Sequence, residues 1–408
     1  MSKGCTFKRF WLCGLMLAAC AMVVVLGQAI AQTKDGIDWD KAKAIRQRML
    51  KGERLTDQEQ AYLQRAREAI QAKQKPRASE PLKPPVGLKP LTDMTADDRY
   101  KGQDGGLYGG GKNVPPEKHL QAALQEVRRI RPLDPQGSPS DDGKIGFISV
   151  GMSNTTQEFS AFVPLANADP AKSPKVLIVD GAQGGMDARA WAEPEKLDRP
   201  KAPNPWAVLD QRLQRAGLSS RQVQAAWVKQ ARIAPAAIGE FPKHADEMEG
   251  HMVAILHKLR ERFPNLRIAY LSSRIYGGYA RTPLNPEPYA YESAFVVRRL
   301  IQDQIKGEPS LNCDPSKGSV NSPLLLWGPY LWADGEKGRR IDDLVWTPED
   351  LAGDGTHPSD SGRRKVAGLL LRFLKTDATA GVWFTAGHLG NLPQGRRGPH
   401  NLLNRQNR

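Results

Sequence analysis

Apolar and β-branched residues run through Ile145, Phe147, Ile148 and Val150; beyond them Phe159, Phe162, Val163 and Ala166 recur at helical spacing. The change of period predicts a buried strand, a tight turn and then a helix. Thr155 and Glu158 form a Thr-x-x-Glu capping pattern, which places the helix start within a few residues of Ser153. Ser153 is thereby expected at the carboxyl end of a strand. In an open α/β sheet that edge is where ligands bind, and the adjoining helix start offers oriented N–H groups.

The same alternation repeats along the chain. Strand patterns cover 176–180, 224–230, 266–272 and 323–327; helical patterns cover 205–216, 245–263 and 289–305. Met252, Ile255, Leu256 and Leu259 point the second of these inward, and Val366, Leu369, Leu370 and Phe373 form the stripe of a last helix. Strands that alternate with helices predict a parallel sheet covered on both faces. Five strands fit a doubly wound, flavodoxin-like three-layer α/β/α sandwich with order 2-1-3-4-5.

The pattern also divides the chain. Lys3, Lys8 and Arg9 precede an apolar run from Phe10 to Leu26, the form of a secretory signal peptide over 1–31, with a competing lipoprotein reading at Cys20 and a retained membrane anchor as a third. A secreted or periplasmic protein is expected. The charged segment 32–75 reads as a helical hairpin, restarted by the capping sequence from Thr56 to Glu59 and too poor in apolar residues for an independent core. Pro76, Pro81, Pro84 and Pro85 mark a stiff linker over 76–90. A lead-in segment, 91–142, carries a glycine-rich stretch at 105–111 with no preceding strand and no Gly-Lys-Ser/Thr ending, so it is a loop that borders the domain and not a phosphate cradle. A helix over 116–129 follows, then the main domain at 143–380 and a basic tail at 381–408.

Composition adds three points. A chain of 408 residues, 40% of them hydrophobic, can bury one sizeable core. Of four cysteines, three (Cys5, Cys13 and Cys20) fall in the leader, so Cys313 has no disulfide partner once the leader is removed. The net charge of +15 suits an anionic polysaccharide or the cell envelope as a partner. The basic residues are dispersed and match no nucleic-acid-binding motif, so nucleic acid is not expected, and no obligate protein partner is evident.

The candidate chemistry lies in two distant stretches. Ser153 alone could be an ordinary turn serine. Downstream, Gly353-Asp-Gly-Thr-His-Pro-Ser359 puts Asp354 and His357 three apart in one turn. A serine nucleophile needs a base to take its proton and a third group to orient that base, and these two residue types supply both. Thr155 stands where a lipase-type Gly-x-Ser-x-Gly elbow needs glycine, which argues against that class.

Over 144–376 the two stretches resemble the SGNH (GDSL-like) hydrolase superfamily, which carries its serine in a Gly-Asp-Ser block and ends with an Asp-x-x-His block. The resemblance implies Ser153 as nucleophile, His357 as base and Asp354 as the orienting acid, with no cofactor. It also implies an oxyanion hole made by the serine N–H, a glycine of a second block and an asparagine of a third. Met152 replaces the usual Asp, and no Gly-x-Asn-Asp block is present. Gly184 or Gly185 fits the second block. Gln230 lies near where the asparagine would fall and has the same amide donor, with Lys229 as a rival.

Polar and aromatic residues cluster after the fourth and fifth strands: Arg274, Tyr276, Tyr279, Glu287, Tyr291, Trp327 and Tyr330, to which Asn154 beside the serine is added as a substrate contact. Such groups stack on and hydrogen-bond to sugar rings, and equally pack loops onto a sheet. The expectation is an exported serine esterase removing acetyl or other acyl groups from carbohydrate. Two readings compete with it: a glycan-binding protein on a degenerate fold, and a metal-dependent hydrolase built on Asp354 and His357, with Glu247 and His251 as further ligands.

Overall fold

The computed structural model describes residues 37–50, 55–74, 86–197 and 203–389. The leader, the linker up to Pro85 and the tail beyond Leu389 lie outside the described residues. The chain forms two compact units, residues 1–75 and 76–408.

In the first unit, α1 (Trp39–Leu50) and α2 (Asp57–Gln74) pair around a small cluster of Ile37, Ala42, Ile45, Leu63 and Ala66. The capping sequence works as its spacing predicts. Glu59 accepts the Thr56 N–H at 2.9 Å, and the Thr56 hydroxyl accepts the Glu59 N–H at 3.3 Å.

The second unit follows α3 (Glu117–Val127) with a five-stranded parallel sheet of β1 (Ile145–Gly151), β2 (Val176–Val179), β3 (Val223–Lys229), β4 (Ile268–Ser272) and β5 (Leu324–Trp327). Its order is β2-β1-β3-β4-β5 with every pairing parallel, the doubly wound arrangement expected from the alternation of strand and helix. Helices α4 (Ser153–Ala168), α5 (Ala188–Ala192), α6 (Pro205–Arg215), α7 (Lys243–Arg262), α8 (Tyr289–Lys306), α9 (Asp360–Thr376) and α10 (Gly381–Phe384) surround it. β1, β3, β4 and β5 are buried along their whole length, as strands covered on both faces must be.

Beneath α4, Phe159 stacks on Trp227 at 5.7 Å and meets Phe147 at 5.6 Å, and Trp383 of α10 closes the cluster against Phe147 at 5.4 Å. Each such side chain contributes about 1.5–3 kcal/mol on burial. The lead-in shares this core through Leu91, Met94, Leu107, Ala123, Val127 and Ile130. Its glycine-rich loop packs tightly because it must. A Cβ on Gly105 would lie 2.2 Å from the Met94 carbonyl oxygen, and Trp327 Nε1 donates to the Leu107 carbonyl at 2.7 Å.

Candidate active site

β1 delivers the chain to Met152, and α4 begins at Ser153. The Thr-x-x-Glu signature does not cap this helix, contrary to expectation. Thr155 Oγ1 instead donates to the Lys229 carbonyl at 2.7 Å, and Glu158 takes the Lys229 ammonium at 2.6 Å. Both side chains are drawn inward because they lie on the buried face of α4 with Phe159 and Phe162. No side chain caps α4. The backbone N–H of Ser153 and the positive end of the helix dipole thus remain available to an anion.

The Asp354 turn closes on Ser153. Ser153 Oγ donates to His357 Nε2 at 2.7 Å, and His357 Nδ1 donates to Asp354 Oδ2 at 2.5 Å. The tautomer follows from Asp354, which can only accept. Asp354 Oδ1 also takes the N–H groups of Thr356 and His357, each at 3.0 Å. Partial burial opposes ionisation of Asp354, but the hydrogen bonds from the His357 ring and these two amides outweigh it and hold the carboxyl down at about 2. Gly355 makes the turn possible. Its φ is +64°, and a Cβ there would lie 1.8 Å from the Tyr279 carbonyl oxygen. A hydroxyl, an imidazole facing it and an ionised carboxylate behind the imidazole are the parts of an activated nucleophile.

No protein-family model matches the chain, and no curated protein does. A solved structure described as a "putative acylhydrolase" from Bacteroides fragilis is similar at 11% identity over 64% of this chain and 96% of that one, with a TM-score of 0.33. A likeness of that degree says nothing about the site.

Of the residues expected to complete an oxyanion hole, Gly184 lies next to Ser153 and Gln230 follows the end of β3. The 181–185 loop is wired to β1 and α4: Asp180 accepts the hydroxyls of Ser149, Thr156 and Ser160, Ser149 Oγ accepts the N–H groups of Gly181 and Ala182, and Gln183 N–H donates to the Gly151 carbonyl. Gly184 is the glycine beside the nucleophile, since a Cβ on it would sit 4.0 Å from Ser153 Cβ. Gly185, at φ +78°, serves the turn. Gln230 follows the Gly151/Lys229 pair of the β1/β3 register, which sets it beside Met152. It is 1% exposed, and both ends of its amide lack a hydrogen-bond partner among the described residues. The rival donor Lys229 is excluded by its pairing with Glu158, both side chains having no exposure. Burial pushes the Lys229 ammonium down to about 8 and Glu158 up, and each is pulled back by the other.

The expected substrate contacts are placed differently. Tyr291 OH donates to the Lys89 carbonyl, Tyr330 OH accepts the Leu91 N–H, and Trp327 binds Leu107, so these three hold the lead-in against the sheet. Tyr276 is fully buried against Tyr279 and Trp332, and Tyr279 OH donates to the Trp346 carbonyl. Glu287 accepts from the N–H groups of Gly277 and Tyr291 and from Trp332 Nε1. Burial raises its carboxyl to about 6. Arg274 and Asn154, 1% and 2% exposed, both donate to the Thr356 carbonyl, at 3.3 and 2.9 Å. Tyr276, Tyr291, Trp327 and Tyr330 are buried and spent on packing, while Tyr279 stays half-buried against the Asp354 turn.

Glu247 pairs with Arg232, and among the described residues no group of three His, Cys, Asp or Glu could hold a metal ion. Sequence reasoning missed the Lys229–Glu158 pair, the Thr356 carbonyl that Asn154 and Arg274 share, and Asn285, whose Oδ1 accepts Arg274 Nε at 3.1 Å. Only Glu158 carried a signal, a charge set within the apolar stripe of α4.

Proposed function

We propose that this protein is an exported serine ester hydrolase of the SGNH type. The observation that supports this reading best is the aligned relay from Ser153 through His357 to Asp354, drawn from two stretches about 200 residues apart and meeting at the carboxyl end of β1. Ser153 Oγ attacks the acyl carbonyl as His357 Nε2 takes its proton, and Asp354 stabilises the imidazolium. The oxyanion is received by the N–H groups of Ser153 and Gly184 and by the Gln230 amide, whose polar atoms have no partner among the described residues. His357 then returns its proton to the leaving alcohol. Water, activated by the same imidazole, releases the acyl group from Ser153. No cofactor enters these steps.

The proposed substrate is a short-chain acyl ester. Of the aromatic residues that suggested a sugar platform, Tyr276, Tyr291, Trp327 and Tyr330 are buried in the core and Tyr279 is half-buried, so carbohydrate as the alcohol part rests on the expected export and the basic charge.

The test is labelling with a fluorophosphonate serine probe, run beside the Ser153→Ala variant and a panel of acetylated sugars and simple acetyl esters. Labelling and acid release that both vanish in the variant support the reading. A folded wild type that neither labels nor turns over any ester would sink it in favour of glycan binding.

A further inference from the structure

The Asp354–His357 turn is closed internally by its own backbone. Ala352 N–H donates to the His357 carbonyl at 2.7 Å, Gly355 N–H to the Ala352 carbonyl at 2.8 Å, and Asp354 Oδ1 takes the next two amides. Those bonds set the shape of the turn and do not themselves place it against Ser153. Packing of α9 on α4 brings the turn near, but a nucleophile–base bond of 2.7 Å needs finer alignment.

The Arg281 N–H donates to the Asp354 carbonyl at 2.9 Å and anchors the first half of the turn; the side-chain contacts that align its second half converge on one atom, the carbonyl oxygen of Thr356, the residue before His357. Its two acceptor sites receive two side-chain donors from different elements, Asn154 Nδ2 at 2.9 Å and Arg274 Nη2 at 3.3 Å. Asn154 is the residue after Ser153. One hydrogen bond thus joins the immediate neighbours of nucleophile and base. Arg274 is held in turn by Asn285, whose Oδ1 accepts Arg274 Nε at 3.1 Å and whose Nδ2 donates to the Arg232 carbonyl at 3.2 Å. The Arg232 guanidinium binds Asp187, which also accepts the Ile233 N–H at 3.0 Å. A single chain of hydrogen bonds therefore runs under the site from the loop after β2, through those after β3 and β4, to the base and the start of α4.

We infer that Asn154 and Arg274 are positioning residues that set the Ser153–His357 distance through the Thr356 carbonyl, and that they do not contact substrate. Their burial, with side chains spent on an internal carbonyl, carries this over the alternative of substrate binding. The inference rests on the serine-hydrolase reading for its kinetic consequence and on geometry alone for its structural one.

The experiment uses Asn154→Ala, the isosteric Asn154→Asp, which removes the donor, and Arg274→Lys, which keeps the charge and loses the fork. For all three, kcat and the rate of fluorophosphonate labelling should fall together on the order of 10²-fold with KM unchanged, the effect of misplacing a catalytic group by about 1 Å. The double variant Asn154→Ala/Arg274→Lys should lose less than the product of the single losses, since both donors serve one oxygen. In parallel, the low-field NMR resonance of the His357 Nδ1 proton should move in each variant. Asn154→Asp with wild-type labelling and an unmoved resonance overturns the inference, as does a rise in KM at constant kcat, which marks a substrate contact. Should Arg274→Lys not fold, the Asn154 variants decide alone. If the wild type fails to label, the hydrolase reading falls and the resonance still decides whether the two residues position His357.

Discussion

Removing Lys229 alone should be among the most damaging single substitutions in the main unit. Lys229 and Glu158 are fully buried, with Nζ 2.6 Å from Oε1, and they tie the end of β3 to α4 about a turn beyond Ser153. Replacement of Lys229 by Met leaves the Glu158 carboxylate buried without its ammonium, a change that costs about 3–5 kcal/mol. The loss must depend on pH. In the wild type burial already pushes Glu158 up while Lys229 pulls it back, so the variant keeps the upward push and loses the largest pull, with only the weaker pull of Arg274 and Arg363 remaining. A folded-state pKa above the unfolded value of about 4.3 means that the native state binds more protons. Stability of the variant is therefore greatest below that unfolded value and falls as pH rises through the raised folded value, by about 1.4 kcal/mol for each unit of difference. Urea unfolding of wild type and Lys229→Met at pH 5 and pH 8 measures this. The deficit should be larger at pH 8, and a Lys229→Met/Glu158→Leu double variant should regain most of it, because no unpaired buried charge remains. A deficit that is equal at both pH values, or a double variant worse than the single, would refute the reasoning.

Three further outcomes follow from the site. Gln230→Ala should lower kcat by about 10²–10³-fold, the usual loss for one oxyanion donor, while the 2.7 Å bond of the free Ser153 hydroxyl to His357 persists; steady-state kinetics on an acetyl ester checks it. Gly355→Ala should abolish activity and lower Tm, since its Cβ meets the Tyr279 carbonyl at a position of φ +64°, and a scan of thermal unfolding beside Gly368→Ala, which meets nothing, provides the control. Asp354 is depressed to about 2, so its stabilising contribution is fully present above about pH 4 and disappears as pH falls through about 2. The stability gap between wild type and Asp354→Asn, measured by urea unfolding, should therefore be constant from pH 7 to pH 5 and close below pH 3.

The layered fold was legible because each strand and helix announces itself by local periodicity, and the topology rules for parallel sheets leave few arrangements. The pairing of Asp354 with His357 was legible for a similar reason: both residues, and the Gly355 that bends the chain between them, lie within four positions. The two Thr-x-x-Glu signatures mark the boundary of such reasoning. At Thr56 the helix start is exposed and the local capping box forms; at Thr155 the same residues face the sheet, where Lys229 offers a buried partner and outcompetes the backbone. Tertiary structure alone decided which polar and aromatic groups are spent on the fold. Tyr291, Trp327 and Tyr330 are consumed by the lead-in and the end of the linker, Asn154 and Arg274 by the Thr356 carbonyl, while Gln230 is left without a partner among the described residues. A hydrogen bond made across 202 residues, such as that from Asn154 to Thr356, leaves no trace in spacing. Its partners are chosen by proximity in the folded chain, where a buried polar group must be satisfied by whatever donor or acceptor the packing brings to it.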